Sequence, residues 1–153
     1  MQTELEKYID VGTLESPVLL RLHANWQSRR GARHFPARAD FDPLDLKYIL
    51  GNLSLVEVRR HPLRFFFRVH ATNIATRAGH DMTGKLLDQH PDPRYRSIVL
   101  DHYLRAIDER RPIALRRDGQ FTGGLTLNCE VLALPLARDG ENIDMLMVGF
   151  VWN

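Results

Sequence analysis

The sequence is short of cysteine, of lysine and of long apolar runs, and each shortage excludes something. A single cysteine, Cys129, stands among 153 residues. No internal disulfide can form, so a reducing compartment, the cytoplasm, is the expected home. No apolar run approaches the 18 or so residues of a transmembrane helix, and the opening Met1-Gln2-Thr3-Glu4-Leu5-Glu6 lacks the basic-then-apolar order of a secretory leader. Lysine is scarce, three against eighteen arginines, but the net charge of +2 is too small to dictate a partner. Acid is missing from residues 16–39, which carry Arg21, Arg29, Arg30, Arg33 and Arg38. Such a stretch can be a nucleic-acid footprint; a solvated helix end and loop is the plainer reading.

Chemical motifs are missing too. There is no G-x-S-x-G elbow, no glycine-rich phosphate loop, no zinc spacing of Cys and His, and no i, i+4 histidine pair with an acidic helper. The sequence therefore names no catalytic residue, no metal ligand and no cofactor. At this length one domain can bury a sizeable core without staples, and 44% hydrophobic with 26% charged residues is an ordinary globular mixture.

What is present reads as helices, then strands, then helices, then strands. Residues 1–15 are a weakly patterned lead-in or short helix. Ser16-Pro17 opens a helix that ends at Gly31, with Leu19, Leu22 and Trp26 on its apolar side. Asp42-Pro43 signals a shorter helix up to Gly51. Leu53–Arg59 and Arg64–His70 alternate as a pair of strands broken at His61-Pro62. Short helical pieces fill 73–84, and Asp92-Pro93 starts the longest helix, whose stripe comprises Tyr95, Val99, Leu100, Tyr103, Leu104 and Ile107. Pro112–Arg117, Leu125–Ala137 and Ile143–Trp152 follow as strands, with Asp118-Gly119 and Asp139-Gly140 as hairpin turns. The result is an α+β fold with an antiparallel sheet of five strands. Val131–Leu134 and Met145–Val148 are apolar at consecutive positions, so both sheet faces must be covered. The middle helices cover one face; the Ser16–Arg30 helix, or a second copy in a homodimer, covers the other.

This order resembles the PAS fold. The residues that carry the resemblance are Trp26, Pro36-x-Arg38 with Asp42-Pro43, Leu50–Val58, Phe67-Arg68 with Thr72, and Gly79-x-Asp81-x-Thr83-Gly84. They are similar to those of short PAS-like proteins common in alphaproteobacteria. One departure is His70-Ala71, where that family has a small residue and a glycine. The resemblance implies a single PAS-like domain over 16–153, binding a small molecule between sheet and short helices or signalling through dimer contacts. It leaves no room for an attached output domain, so output is expected through a separate protein.

Candidate ligand-pocket residues are Phe66, Arg68, His70, Asp81 and Met82, with Phe65, Phe67 and Trp152 as further aromatic lining. Arg68, flanked by apolar neighbours, needs a partner, for which Asp81 is the candidate. Leu19, Leu22 and Trp26 are the candidates for covering the sheet or for dimer contacts. His70 and His80 read as neutral histidines rather than ligands, and Cys129 as a small buried thiol. Gly123-Gly124 reads as a bulge or bend. The leading functional reading is a sensory or regulatory module without catalysis, binding an apolar small molecule or a protein. The rival is a small α+β cone or hot-dog enzyme, an isomerase or thioesterase, using Asp81 with His70.

Overall fold

Six antiparallel strands form one sheet in the order β1-β4-β5-β6-β2-β3 in this computed structural model, which describes residues 6–78, 80–120 and 126–152. Their ranges are β1 Glu6–Ile9, β2 Leu53–Arg59, β3 Arg64–Val69, β4 Ile113–Gln120, β5 Thr126–Leu136 and β6 Met145–Trp152. The helices are α1 Pro17–Arg30, α2 Thr72–Ala78 and α3 Pro93–Glu109. The architecture is α+β, as the element order predicts, with one strand more than expected. Glu6–Ile9, read as lead-in, pairs with Ile113's strand from Glu6↔Arg117 to Ile9↔Ala114. Four residues offer too little period-2 alternation to announce a strand; the open edge of β4 supplies their partners.

Helix starts follow the capping chemistry. Ser16 Oγ accepts from the Leu19 amide at 3.2 Å, and Asp92 Oδ1 accepts from the Arg94 and Tyr95 amides. Arg110 ends α3 in the left-handed region at φ 53°. Asp42-Pro43 gives only a 3₁₀ turn over Pro43–Leu46, followed by a second over Leu50–Asn52, rather than one continuous helix. Asp118-Gly119 is no turn. These residues pair with Asn128 and Leu127 inside the β4–β5 ladder, so strand pairing outweighs the local turn preference; Gly123-Gly124 lies outside the described residues. Asp139-Gly140 does turn the chain: the Asp139 carboxylate accepts from the Glu141 and Asn142 amides and Gly140 takes φ 81°.

The sheet's two faces are covered differently. On the inner face α3 lays Tyr95, Val99, Tyr103 and Ala106 over β5 and β4. Leu100, placed by sequence on that stripe, is exposed at 40% because it falls on the helix's far side. Phe65 and Phe67 of β3 meet Tyr103 edge-on, at ring distances of 5.4 and 6.4 Å. On the outer face α1 buries Leu19, Leu22 and Trp26. Gly149 makes this approach possible, since a Cβ there would sit 2.7 Å from Leu22 Cδ2 and 3.1 Å from Leu19 Cδ2. Trp26 Nε1–H donates to the Pro135 carbonyl at 2.8 Å, which fixes the helix along β5. Glu130, buried to 1%, accepts from the Glu15 and Ser16 amides and pairs with Arg116 at 2.7 Å.

Candidate functional site

Between the inner face and the helices the packing is incomplete. A cavity of about 30 Å³ lies there, walled by Ser54, Arg117, Cys129 and Phe150 of the sheet, by Tyr95 and Tyr103 of α3 and by Ile74 of α2, with His70 at its side. Strand alternation explains the sheet residues: Ile113, Leu115 and Arg117 point inward in turn, as do Cys129 and Val131.

Position 70 is held by a local clamp. Asp81 Oδ1 accepts from the Thr83 amide at 2.9 Å, Thr83 Oγ1 accepts from the His70 amide at 3.0 Å, and the Gly84 amide donates to the Phe67 carbonyl at 2.8 Å with Gly84 at φ 80°. The Asp-x-Thr-Gly segment thus fastens the 81–84 loop to the end of β3. Ala71 donates its amide to Ser54 Oγ at 2.9 Å. Inside this frame His70 Nδ1 accepts from the Met82 amide at 3.1 Å. A nitrogen that accepts carries no proton, so the neutral ring is the Nε2–H tautomer. That Nε2 is buried and has no hydrogen-bond partner.

The electrostatics keep the site neutral on its histidine side, with a charged residue, Arg117, on its strand side. Burial lowers the His70 pKa to about 4; Asp81 opposes this and His90 adds to it. Burial likewise lowers His102 to about 3, and its Nε2–H donates to the Ile113 carbonyl at 2.9 Å. Burial raises the Tyr95 and Tyr103 phenols, which stay protonated. The Arg117 guanidinium bears electrostatically on Tyr95, His102 and Tyr103, and so places a cation in the cavity wall.

A family profile described as PAS domain matches residues 14–150. The chain belongs to the PAS domain family. A search of curated proteins found no match. The cavity therefore lies within the PAS domain, between its sheet and its middle helices. Among the described residues no group of three or more His, Cys, Asp or Glu is placed to hold a metal ion, and no helix is long and apolar enough to cross a membrane.

Of the pocket candidates read from the sequence, His70 and Trp152 line the PAS cavity; Phe66, Arg68, Asp81 and Met82 do not, nor do Phe65 and Phe67. Phe66 faces the outer side under the Arg59 guanidinium, 3.8 Å from its centre. Arg68 pairs with Glu57 at 3.0 Å, not with Asp81, because strand alternation after the inward Phe67 puts it on the outer side with Phe66, where its side chain is 63% exposed. Asp81 is 65% exposed and 4.0 Å from His70 Nδ1. Since that nitrogen already accepts from Met82, the two share no hydrogen bond, and the dyad geometry of the rival enzyme reading is missing. Met82 is buried beside the cavity rather than in its wall. Leu19, Leu22 and Trp26 pack on the chain's own sheet. The basic stretch spends its arginines internally: Arg29 meets Asp45, Arg33 meets Asp40, and Arg21 and Arg30 lie over Tyr48 and Trp26.

Ser54, Tyr95, Tyr103 and Arg117 escaped the sequence reading. The signal for Arg117 was there, as the third inward position after Ile113 and Leu115; the two tyrosines stood on the helical stripe and were taken as core alone.

Proposed function

We propose that this PAS domain is a cytoplasmic sensory or regulatory module whose inner cavity is its ligand site. One observation carries the reading: a buried Nε2–H with no acceptor in the wall of an enclosed cavity. Leaving a buried donor unsatisfied costs about 1–3 kcal/mol, a cost that a bound acceptor would remove. Cys129, buried and in no disulfide, supports a reducing compartment. Native mass spectrometry of the purified protein tests the ligand site: co-purified small-molecule mass, or saturable shifts of the cavity's Tyr95, Tyr103 and Ile74 NMR signals with added compounds, supports it. A chain of bare sequence mass that no compound perturbs would leave an interaction-only role.

Homodimerisation is supported by a different feature. An apolar groove of about 140 Å³ on the outer face is lined by Leu50, Leu55, Val69 and Met147, beyond the reach of α1, with Leu50 and Val69 exposed. A second copy placed there would cover these residues. Light scattering should give twice the chain mass, and Val69→Glu should return the monomer.

A further inference from the structure

Away from the inner cavity, a groove runs between α3 and the β2–β3 hairpin. We propose that it binds a small amphiphilic carboxylate, with the apolar chain along Leu63, Leu87 and Leu100 and the carboxylate on Arg96. Helix periodicity builds one wall. Tyr95, Val99 and Tyr103 are buried towards the sheet, so Pro93, Arg96, Ser97 and Leu100, at i, i+3, i+4 and i+7, line up on a second face of α3. The hairpin supplies the opposite wall through Leu63, Arg64 and Phe65, and the 3₁₀ turn Leu87–Gln89 adds Leu87 and Asp88. The groove has a volume of about 360 Å³. Phe65 and Leu87 are buried, while Leu63 and Leu100 stand 41% and 40% exposed. Such a volume lies at the low end of small-molecule sites, about 300–1,000 Å³, and holds on the order of ten non-hydrogen atoms. Two exposed leucines are too few for the core of a protein interface, which takes about 800 Å² from each partner. Size favours a small molecule.

Charge sets its polarity. Arg64 Nε and Nη2 donate to the two Asp88 oxygens at 2.9 and 3.0 Å, so these two charges answer each other. The charge of Arg96 is left over. Its Nη1 donates to the His90 carbonyl, a neutral acceptor. Asp88 feels Arg96 only at longer range, and none of the ion pairs among the described residues takes it. Arginine stays protonated and offers five N–H donors, and the Ser97 hydroxyl stands beside it on the same helix face. An apolar trough with one unspent cation is complementary to a chain that ends in a single carboxylate. A chain ending in an ammonium group would meet repulsion there instead.

The test titrates the full chain with octanoate, hexanoate, octanamide and octylammonium at constant ionic strength held with sodium chloride. The readouts are the methyl NMR signals of Leu63, Leu87 and Leu100, with Ile74 as the reporter of the inner cavity. Octanoate should shift the three leucines saturably and leave Ile74 in place. Hexanoate, two methylenes shorter, should bind about tenfold more weakly, and octylammonium more weakly than octanamide. Arg96→Gln keeps a donor for the His90 carbonyl and removes the charge. Its octanoate affinity should fall about tenfold, the range for a hydrogen bond to a charged group, with octanamide binding unchanged. Leu100→Asn, at an exposed position, should weaken octanoate and octanamide alike. Leucine signals that octanoate does not move, equal affinity for octanoate and octylammonium, or an unchanged octanoate affinity in Arg96→Gln overturns the proposal. Shifts confined to Ile74 overturn it too, and support the inner cavity as the ligand site instead.

Discussion

The two faces of the sheet are built to opposite standards. On the outer face the groups that root α1 are paired, although the buried Arg30 Nε at its far end has no hydrogen-bond partner: Glu130 takes two backbone amides and Arg116, Ser16 caps the helix, and Trp26 reaches Pro135. Gly149 removes even the Cβ that would hold α1 away. On the inner face the sheet meets α3 over two buried histidines, a buried arginine and a void, with His70 Nε2 unanswered. The root of α1 is tightly tied on one side, and the void lies on the other.

The contrast can be broken most forcefully at Glu130. Glu130→Ala strands the Glu15 and Ser16 amides and the Arg116 guanidinium, and should cost about 3 kcal/mol or more in urea unfolding. A loss below about 1 kcal/mol would show that the outer face does not carry the stability. Next in size is Gly149→Val, which pushes a branched side chain into Leu22 and Leu19; overpacking of this kind costs about 1–3 kcal/mol, read as a lowered melting temperature.

Acid should separate the faces by pH. His70 and His102 titrate in the fold below their ordinary 6.5, at about 4 and about 3. Such groups bind more protons unfolded than folded, so their contribution is complete above pH 6.5 and is lost as pH falls towards those values. Glu130 is also depressed, from 4.5: burial pushes it up, but hydrogen bonds from Glu15, Arg116 and Ser16 outweigh burial. Its contribution persists down to about pH 4.5 and is lost only below. Melting temperatures from pH 7.5 to 5 should therefore decline in the parent, and less steeply in His102→Gln, whose amide can still donate to Ile113. An unchanged slope in that variant would contradict the assignment. The smallest effect is expected for Trp26→Phe, which keeps the ring's burial and drops one hydrogen bond, at about 1 kcal/mol by the same urea measurement.

The fold was more legible in the sequence than the site. Ser16-Pro17 and Asp92-Pro93 marked both long helices to the residue, because capping chemistry is local. The consecutive apolar residues of Val131–Leu134 and Met145–Val148 announced a sheet covered on both sides. Illegible were the features made by distant pairing: Glu6–Ile9 becomes a strand only because β4 offers an edge, and Asp118-Gly119 is held extended by Asn128 and Leu127. The site suffered from the same cause. Period-2 alternation puts Phe66 and Arg68 together on the side opposite Phe65 and Phe67, and the sequence reading did not carry it through to the pocket. His70 was found because it puts a titratable ring where similar PAS-like proteins carry a small residue. Its neighbours in space, Arg117 and Tyr95, lie more than twenty residues away along the chain and are joined to it only by the closed sheet.

Strand alternation at Cys129 and Glu130 has a mechanical consequence. One residue walls the cavity and the next grips the backbone at the start of α1, so a single peptide bond links the two faces. The position of β5 at the cavity wall and the position of the root of α1 are thereby set together, like the two arms of a lever about its pivot.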